Sequence, residues 1–288
     1  MINSAQLTIL RSYARKPNPP VDLPESILFD HSDKTLTIFD TYPKSIFHFL
    51  ILPRISAYTG DGYTERDLTS LRTLLKGGQE KAGRVIRDLE EAAKVCVAQV
   101  EEEMVARYKF KWDIWVGFHP VPSMEHIHLH VISADMVSSS MKNKKHYNSF
   151  IPKGDFFLTL KDVSEWLEAQ PSFFRKMAEL KSSEYEPRLK AELACFHENC
   201  YELFKTMPQL KAHLQEEWDK RMAREKAKRE RLEKLKRKSG SKKAASPSAS
   251  GTTADNSQAS TSTLTAEDLV ELEGSQKKRR KTDESDVE

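Results

Sequence analysis

The stretch His126-Ile127-His128-Leu129-His130-Val131-Ile132 decides how the rest of this 288-residue chain is read. Histidines alternate with apolar residues, and an apolar pair closes the run. On a β-strand, a period of two puts the imidazoles on one face and Ile127, Leu129 and Val131 on the other. One face then packs on a core, while the other presents groups that titrate near neutral pH. A row of imidazoles is costly to bury unpaired, so a site is the economical explanation. Three readings compete: phosphoryl chemistry, a metal site, or a polar strand face with no further role.

Neutral imidazole attacks phosphorus, and the resulting phosphoramidate is open to water. His128 is flanked on both sides and is the natural nucleophile. His126 and His130 would orient it and supply protons and hydrogen bonds to the nonbridging oxygens. A metal would instead use alternate strand positions, with His119 as a further donor and only Glu125 as a neighbouring carboxylate.

Working outward, the upstream text predicts an α+β domain with an antiparallel sheet and helices on one side. Ser4 to Lys16 reads as a short helix ended by Pro17–Pro20. Ile27-Leu28-Phe29 and Leu36-Thr37-Ile38-Phe39 flank a turn, as in a hairpin, and Phe47 to Pro53 reads as a buried strand. Thr64 with Asp67 opens a helix over 64–76, broken by Gly77-Gly78. A long amphipathic helix over 79–106 carries Val85, Leu89, Ala92, Cys96 and Val100 on one face. Residues 109–116 alternate as a strand, and Gly117-Phe118-His119-Pro120 ends it. Helical patterns return at 162–170 and 173–180.

Downstream the composition changes. Lys142 to Phe150 mixes Lys142, Lys144, Lys145 and His146 with aromatics and amides, a composition suited to phosphates. Cys195-x4-Cys200-x12-His213-x3-Glu217 matches two-cysteine, two-histidine finger spacing in its first three positions. Glu217 stands in the fourth, with His197 and Glu216 as alternatives. From Asp219 to Lys243 the chain reads as an exposed basic helix. A Ser/Thr/Ala-rich tract over 244–263 cannot bury enough surface to fold, and an acidic-apolar patch follows at Leu264–Leu272. Lys277 to Lys281 has the form of a nuclear address. The resulting division is an N-terminal helical segment (1–26), a catalytic domain (27–182), a finger (187–220) and a basic helix with a disordered tail (221–288).

Composition sets the limits. Charged residues make up 31% and the formal charge is only +3, so the basic character is local. Mean hydropathy is −0.62, and no stretch approaches the ~20 apolar residues needed to cross a bilayer. Three cysteines do not make a disulfide framework. Together with the absence of a signal-peptide pattern, these features predict a soluble intracellular protein.

The pattern His-φ-His-φ-His-φ-φ resembles that of the histidine-triad nucleotide hydrolases and transferases. Asp40-x-Tyr42-Pro43-Lys44, Phe47 to Pro53, Gly117 to Met124, Lys142 to Phe150 and a finger after the triad occur in the order seen in the aprataxin family. The resemblance runs from Leu28 to Trp218 and is to the shorter, fungal-type form. It implies a histidine-triad fold followed by a C2HE-type finger holding a structural Zn2+ through Cys195, Cys200, His213 and Glu217, with no cofactor for the chemistry. It also implies removal of AMP from DNA 5′ ends left by abortive ligation. His128 would attack, His126 and His130 would position, and His119 would protonate the leaving phosphate. Asp40 would hold the ribose, with Lys44 and Ser123 near the phosphate. Lys142, Lys144, Lys145 and His146 would contact DNA, and Leu10 or Tyr13 would act as a wedge at the end of the base stack. The implied partners are adenylated nicked or double-stranded DNA, AMP and other repair proteins, with a monomer acting in the nucleus. On this reading, losing Cys195 should weaken action on DNA more than on a small AMP ester.

Overall fold

The computed structural model describes residues 4–243. The Ser/Thr/Ala-rich tract, the acidic-apolar patch and the Lys277–Lys281 cluster lie outside the described residues. One antiparallel sheet runs in the order β1-β2-β3-β5-β4-β6. Its strands are β1 (Leu28–His31), β2 (Thr35–Phe39), β3 (His48–Pro53), β4 (Ile114–Phe118), β5 (Leu129–Ser133) and β6 (Leu158–Thr159). The expected hairpin and buried strand are β1, β2 and β3. β5 is inside the sheet: His130 pairs with Leu50 of β3 on one side and Gly117 of β4 on the other.

Helices surround the sheet. The expected helix over residues 4–16 divides at Thr8 into α1 (Ser4–Leu7) and α2 (Ile9–Ala14), and α3 (Pro19–Asp22) follows. Beyond α4 (Ser56–Thr59), Thr64 and Asp67 do exchange side-chain and backbone bonds, but these open only a 3-10 turn at Asp67–Thr69. The longer helix there is α5 (Leu71–Lys76), with a capping box between Ser70 and Thr73. In α6 (Gln79–Tyr108), Ala82, Val85, Ile86, Leu89, Ala93, Cys96, Val100 and Met104 are buried at three-to-four spacing. Gly78 at φ 108° precedes α6, and Lys109 at φ 68° gives it a left-handed end. The remaining helices are α7 (Lys144–Asn148), α8 (Leu160–Glu168), α9 (Pro171–Met177), α10 (Ser182–Tyr185) and α11 (Met207–Lys243).

Both sheet faces are covered, not one. α6 packs on the face bearing Phe49, Ile51, Leu129 and Val131. On the other face, Leu36, Ile38, Leu50 and Leu52 meet Leu10 and Leu23 of the N-terminal segment. Beside them, Ile132 joins Met141, Tyr147, Phe150 and Phe157 with Leu193, Leu210 and Leu214 of the finger. This double coverage explains why β3 is buried throughout and reads as one apolar run. The finger, a small hairpin of β7 (Leu193–Ala194) and β8 (Leu203–Phe204) followed by α11, thus shares a core with the sheet. A single compact unit extends through Leu235.

Two strand expectations shift. Residues 109–116 become a strand only from Ile114, because Phe110 and Trp112 turn in to pack on Trp218 of α11. β5 likewise begins at Leu129, because His126 has φ 83°. A non-glycine residue in that region costs roughly 1–2 kcal/mol. It is held there by its amide bonding Thr69 O at 2.9 Å and the Ile127 amide bonding Leu68 O at 2.8 Å.

Candidate active site

β5 and the bend before it carry His126, His128 and His130, and His130 lies in the seam between the two smaller cores. Leu50 beside His130 belongs to the N-terminal cluster, and Phe150, 5.1 Å from the His130 ring, to the finger cluster. His128 Nδ1 lies 2.8 Å from the His126 carbonyl oxygen. A carbonyl only accepts, so Nδ1 carries the proton and Nε2 keeps its lone pair. His128 is also the most accessible of the three, at 5% against 0% for His126 and 3% for His130. His126 donates from Nε2 to Pro53 O at 2.7 Å, which fixes its ring from below the segment.

His130 takes its tautomer from a residue that sequence reasoning passed over. The Lys44 backbone N–H donates to His48 Nδ1 at 3.2 Å, so the His48 proton is on Nε2. That Nε2 is 3.0 Å from His130 Nδ1 and donates to it. The His130 proton is therefore on Nε2, a buried donor with no partner among the described residues. The available signal was a lone polar residue inside the apolar run Phe47 to Leu52. Asp135 secures the same region, accepting from Ser133, from the Ile46 amide at 2.9 Å and from Trp112 Nε1 at 3.2 Å.

His119 joins the group from the end of β4, its ring 4.4 Å from His130 and 4.7 Å from Phe150. Its Nε2 is buried and has no partner among the described residues. Two residues earlier, Gly117 lets β4 approach β6, since a Cβ there would come within 2.4 Å of Leu158 O and 2.7 Å of the Phe157 ring. Burial lowers every one of these imidazoles below the ordinary value. His48 and His126 fall to about 4 and His119 to about 3, while His128 and His130 are also lowered. The cluster is neutral at pH 7, the form that nucleophilic attack requires.

Asp40 and Lys44 border this cluster. Asp40 Oδ2 is 3.6 Å from His48 Nδ1, and the Lys44 ammonium bonds Tyr42 O. Burial lowers the Lys44 pKa, opposed by Asp40. Ser123 is exposed on the turn leading to the histidines. A cavity of about 520 Å³ opens on the α6 side of the sheet, walled by Phe29, Phe39, Phe49, Asp40 and His48. His128 does not line it, so its volume is not the reacting space.

Lys142 to His146 is partly helical: Asn143 caps α7 by accepting from the His146 amide at 2.9 Å. Lys142 and Lys145 are exposed, while Lys144 and His146 are half-buried. Tyr13 is half-buried against the N-terminal cluster, in which Leu10 is fully buried.

In the finger, Cys195, Cys200 and His213 place one donor atom each within 4.8 Å of one another. His213 Nε2 is 3.2 Å from Cys195 Sγ and 3.4 Å from Cys200 Sγ. Two sulfurs and an imidazole converging in this way fit zinc. Glu217 stands outside that trio with its carboxylate on Lys220 at 2.7 Å, and His197 Nδ1 is 3.1 Å from Cys195 Sγ.

Residues 153–220 match the zinc-binding finger family described as C2HE / C2H2 / C2HC, and residues 19–146 match the family described as scavenger mRNA decapping enzyme C-term binding. Aprataxin of Gallus gallus is 31% identical over 65% of this chain and 50% of its own length. An aprataxin-like protein of Schizosaccharomyces pombe is 30% identical over 69% of this chain and 78% of its own length. A solved structure of the aprataxin ortholog Hnt3 in complex with DNA aligns with a TM-score of 0.46 and 24% identity, covering 74% of this chain and 92% of that one. The chain spans about half the length of the first animal relatives it matches.

Proposed function

Because the chain belongs to the aprataxin family of histidine-triad nucleotide hydrolases, we propose that it removes AMP from adenylated DNA 5′ ends. The observation that carries the chemistry is the His128 Nδ1–His126 carbonyl bond, which leaves Nε2 free to attack. His128 Nε2 bonds to the AMP phosphorus. The P–O bond to the DNA 5′-phosphate breaks, and its electron pair leaves with that phosphate. Water then adds to phosphorus and releases a proton to solvent, the P–N bond breaks, and the pair returns to Nε2 as AMP departs. The unpartnered His130 Nε2–H is the donor to a nonbridging oxygen.

His119 is neutral before substrate enters, and a bound anion raises its proton affinity. The leaving group is itself a phosphate and needs little acid help, so His119 has a modest role. Asp40 holds the ribose, with Lys44 and Ser123 toward the phosphate. A DNA substrate is supported by the Lys142, Lys144, Lys145 and His146 segment and by the finger, which offer contacts to phosphates that a small nucleotide lacks. Zinc held by Cys195, Cys200 and His213, with Glu217 or His197 beside them, ties the finger hairpin to α11. Other repair proteins are further partners, and Lys277–Lys281 would address the protein to the nucleus, where it acts as a monomer.

The match to a decapping-enzyme family over residues 19–146 favours a second reading, hydrolysis of dinucleotides or capped nucleotides. Competition between adenylated nicked DNA and a diadenosine polyphosphate separates the two. The DNA reading expects the nick to be used by far the better, and equal use would sink it.

A further inference from the structure

α11 does not end with the finger. Leu210, Leu214, Trp218 and Met222 pack it onto the body, and beyond that point it runs on with little to bury. Between Arg221 and Leu235 it carries seven basic and three acidic residues. At 100° per residue, Arg221, Met222, Glu225 and Arg229 point toward the body, and these are its half-buried positions. Arg224, Arg231 and Lys234 point away from that side, Lys228 lies on its flank, and all four are exposed. Glu225, Glu230 and Glu233 lie off that stripe. Among the described residues none of the four outer cations is paired with a carboxylate, whereas Lys220, one turn earlier, is paired with Glu217 at 2.7 Å.

Apart from Ala223, Ala227 and the exposed Leu232 and Leu235, the helix beyond Met222 is polar, and its unpaired cations have no packing reason. We infer that this outer stripe of α11 is a second nucleic-acid contact, lying along the phosphate backbone of a duplex away from the reacting end. The choice of occupant rests on the DNA substrate proposed above and on charge complementarity. Arg224 to Lys234 spans about 15 Å of helix, which is about four base steps at 3.4 Å per step, so successive side chains meet successive phosphates. Such contacts confer no sequence preference and make binding depend on salt.

The test is the salt dependence of equilibrium binding to an unadenylated 30-base-pair duplex, comparing the full chain with a variant carrying Arg224→Gln, Lys228→Gln, Arg231→Gln and Lys234→Gln. Helicity of the variant is checked by circular dichroism. The slope of log K against log salt should fall in magnitude by about 3 to 4, at about 0.9 for each phosphate no longer neutralised. Release of AMP from a small AMP ester should be unchanged. An unchanged slope overturns the inference. So does a variant that keeps its duplex affinity but loses binding to phosphatidylserine vesicles, which would assign the stripe to a membrane. If the wild type binds duplex with the expected slope yet releases no AMP from adenylated DNA, the enzymatic proposal fails while the stripe stands.

Discussion

His128 Nδ1 is hydrogen-bonded at 2.8 Å to the carbonyl of His126, whose backbone occupies the left-handed region at φ 83°. The backbone of the first triad residue, more than its ring, sets the tautomer of the second. His126→Asn should therefore keep a measurable part of the nucleophilic competence, because asparagine tolerates positive φ and retains the carbonyl. Losing the ring bond to Pro53, worth about 1.4 kcal/mol, lowers single-turnover AMP release about tenfold. A loss as deep as that of His128→Ala would assign the essential role to the ring.

His48 stands between the Lys44 amide and His130. His48→Phe leaves both without a partner in a buried setting and frees the His130 proton to move to Nδ1. The expected result is a stability loss of about 1–3 kcal/mol in urea unfolding. AMP release should also fall by more than that loss explains at a temperature where the variant is fully folded. Unchanged turnover would remove His48 from the positioning network.

The depressed histidines give stability a pH dependence of definite sign. His48 and His126 titrate at about 4 and His119 at about 3 when folded, each lowered chiefly by burial. The unfolded chain takes up these protons near 6.5, so it binds more protons than the folded form between those values. Stability from this source is complete above pH 6.5 and is lost as pH falls toward 4. The urea midpoint should be lower at pH 5.0 than at pH 7.5, and the dependence shallower in His48→Phe. Equal midpoints would mean the rings are solvated.

The shared core changes what is expected of the finger. Cys195 packs in the same cluster as Ile132 and Phe150, and Phe150 touches the His119 and His130 rings. Cys195→Ser, or removal of zinc by a chelator, should lower the melting temperature and reduce turnover on both adenylated DNA and a small AMP ester. A loss confined to DNA would restore the sequence-based expectation of a finger that serves binding alone.

The alternating triad and the apolar run at Phe47 to Pro53 made the sheet legible, because buried strands carry their signature locally. The helix over 79–106 was legible for the same reason. The bend at His126 was not, since it depends on the Thr69 and Leu68 carbonyls, far away in the chain. His48 was hidden because its role lies in a contact with His130, 82 positions later. The late start of β4 arises from the packing of Trp112 on Trp218, which no local pattern encodes. The convergence of Cys195, Cys200 and His213 was readable from spacing, but the finger's fusion to the sheet was not.

Covalent adenylylation of His128 is the step on which the proposed chemistry turns. The direct measurement uses nicked DNA carrying AMP labelled at its phosphorus, quenched in base within the first turnover and mapped by mass spectrometry. An acid-labile adenylyl group on His128, absent from His128→Ala, is the expected result. AMP release at the normal rate by His128→Ala, or a label on another residue, would contradict the account.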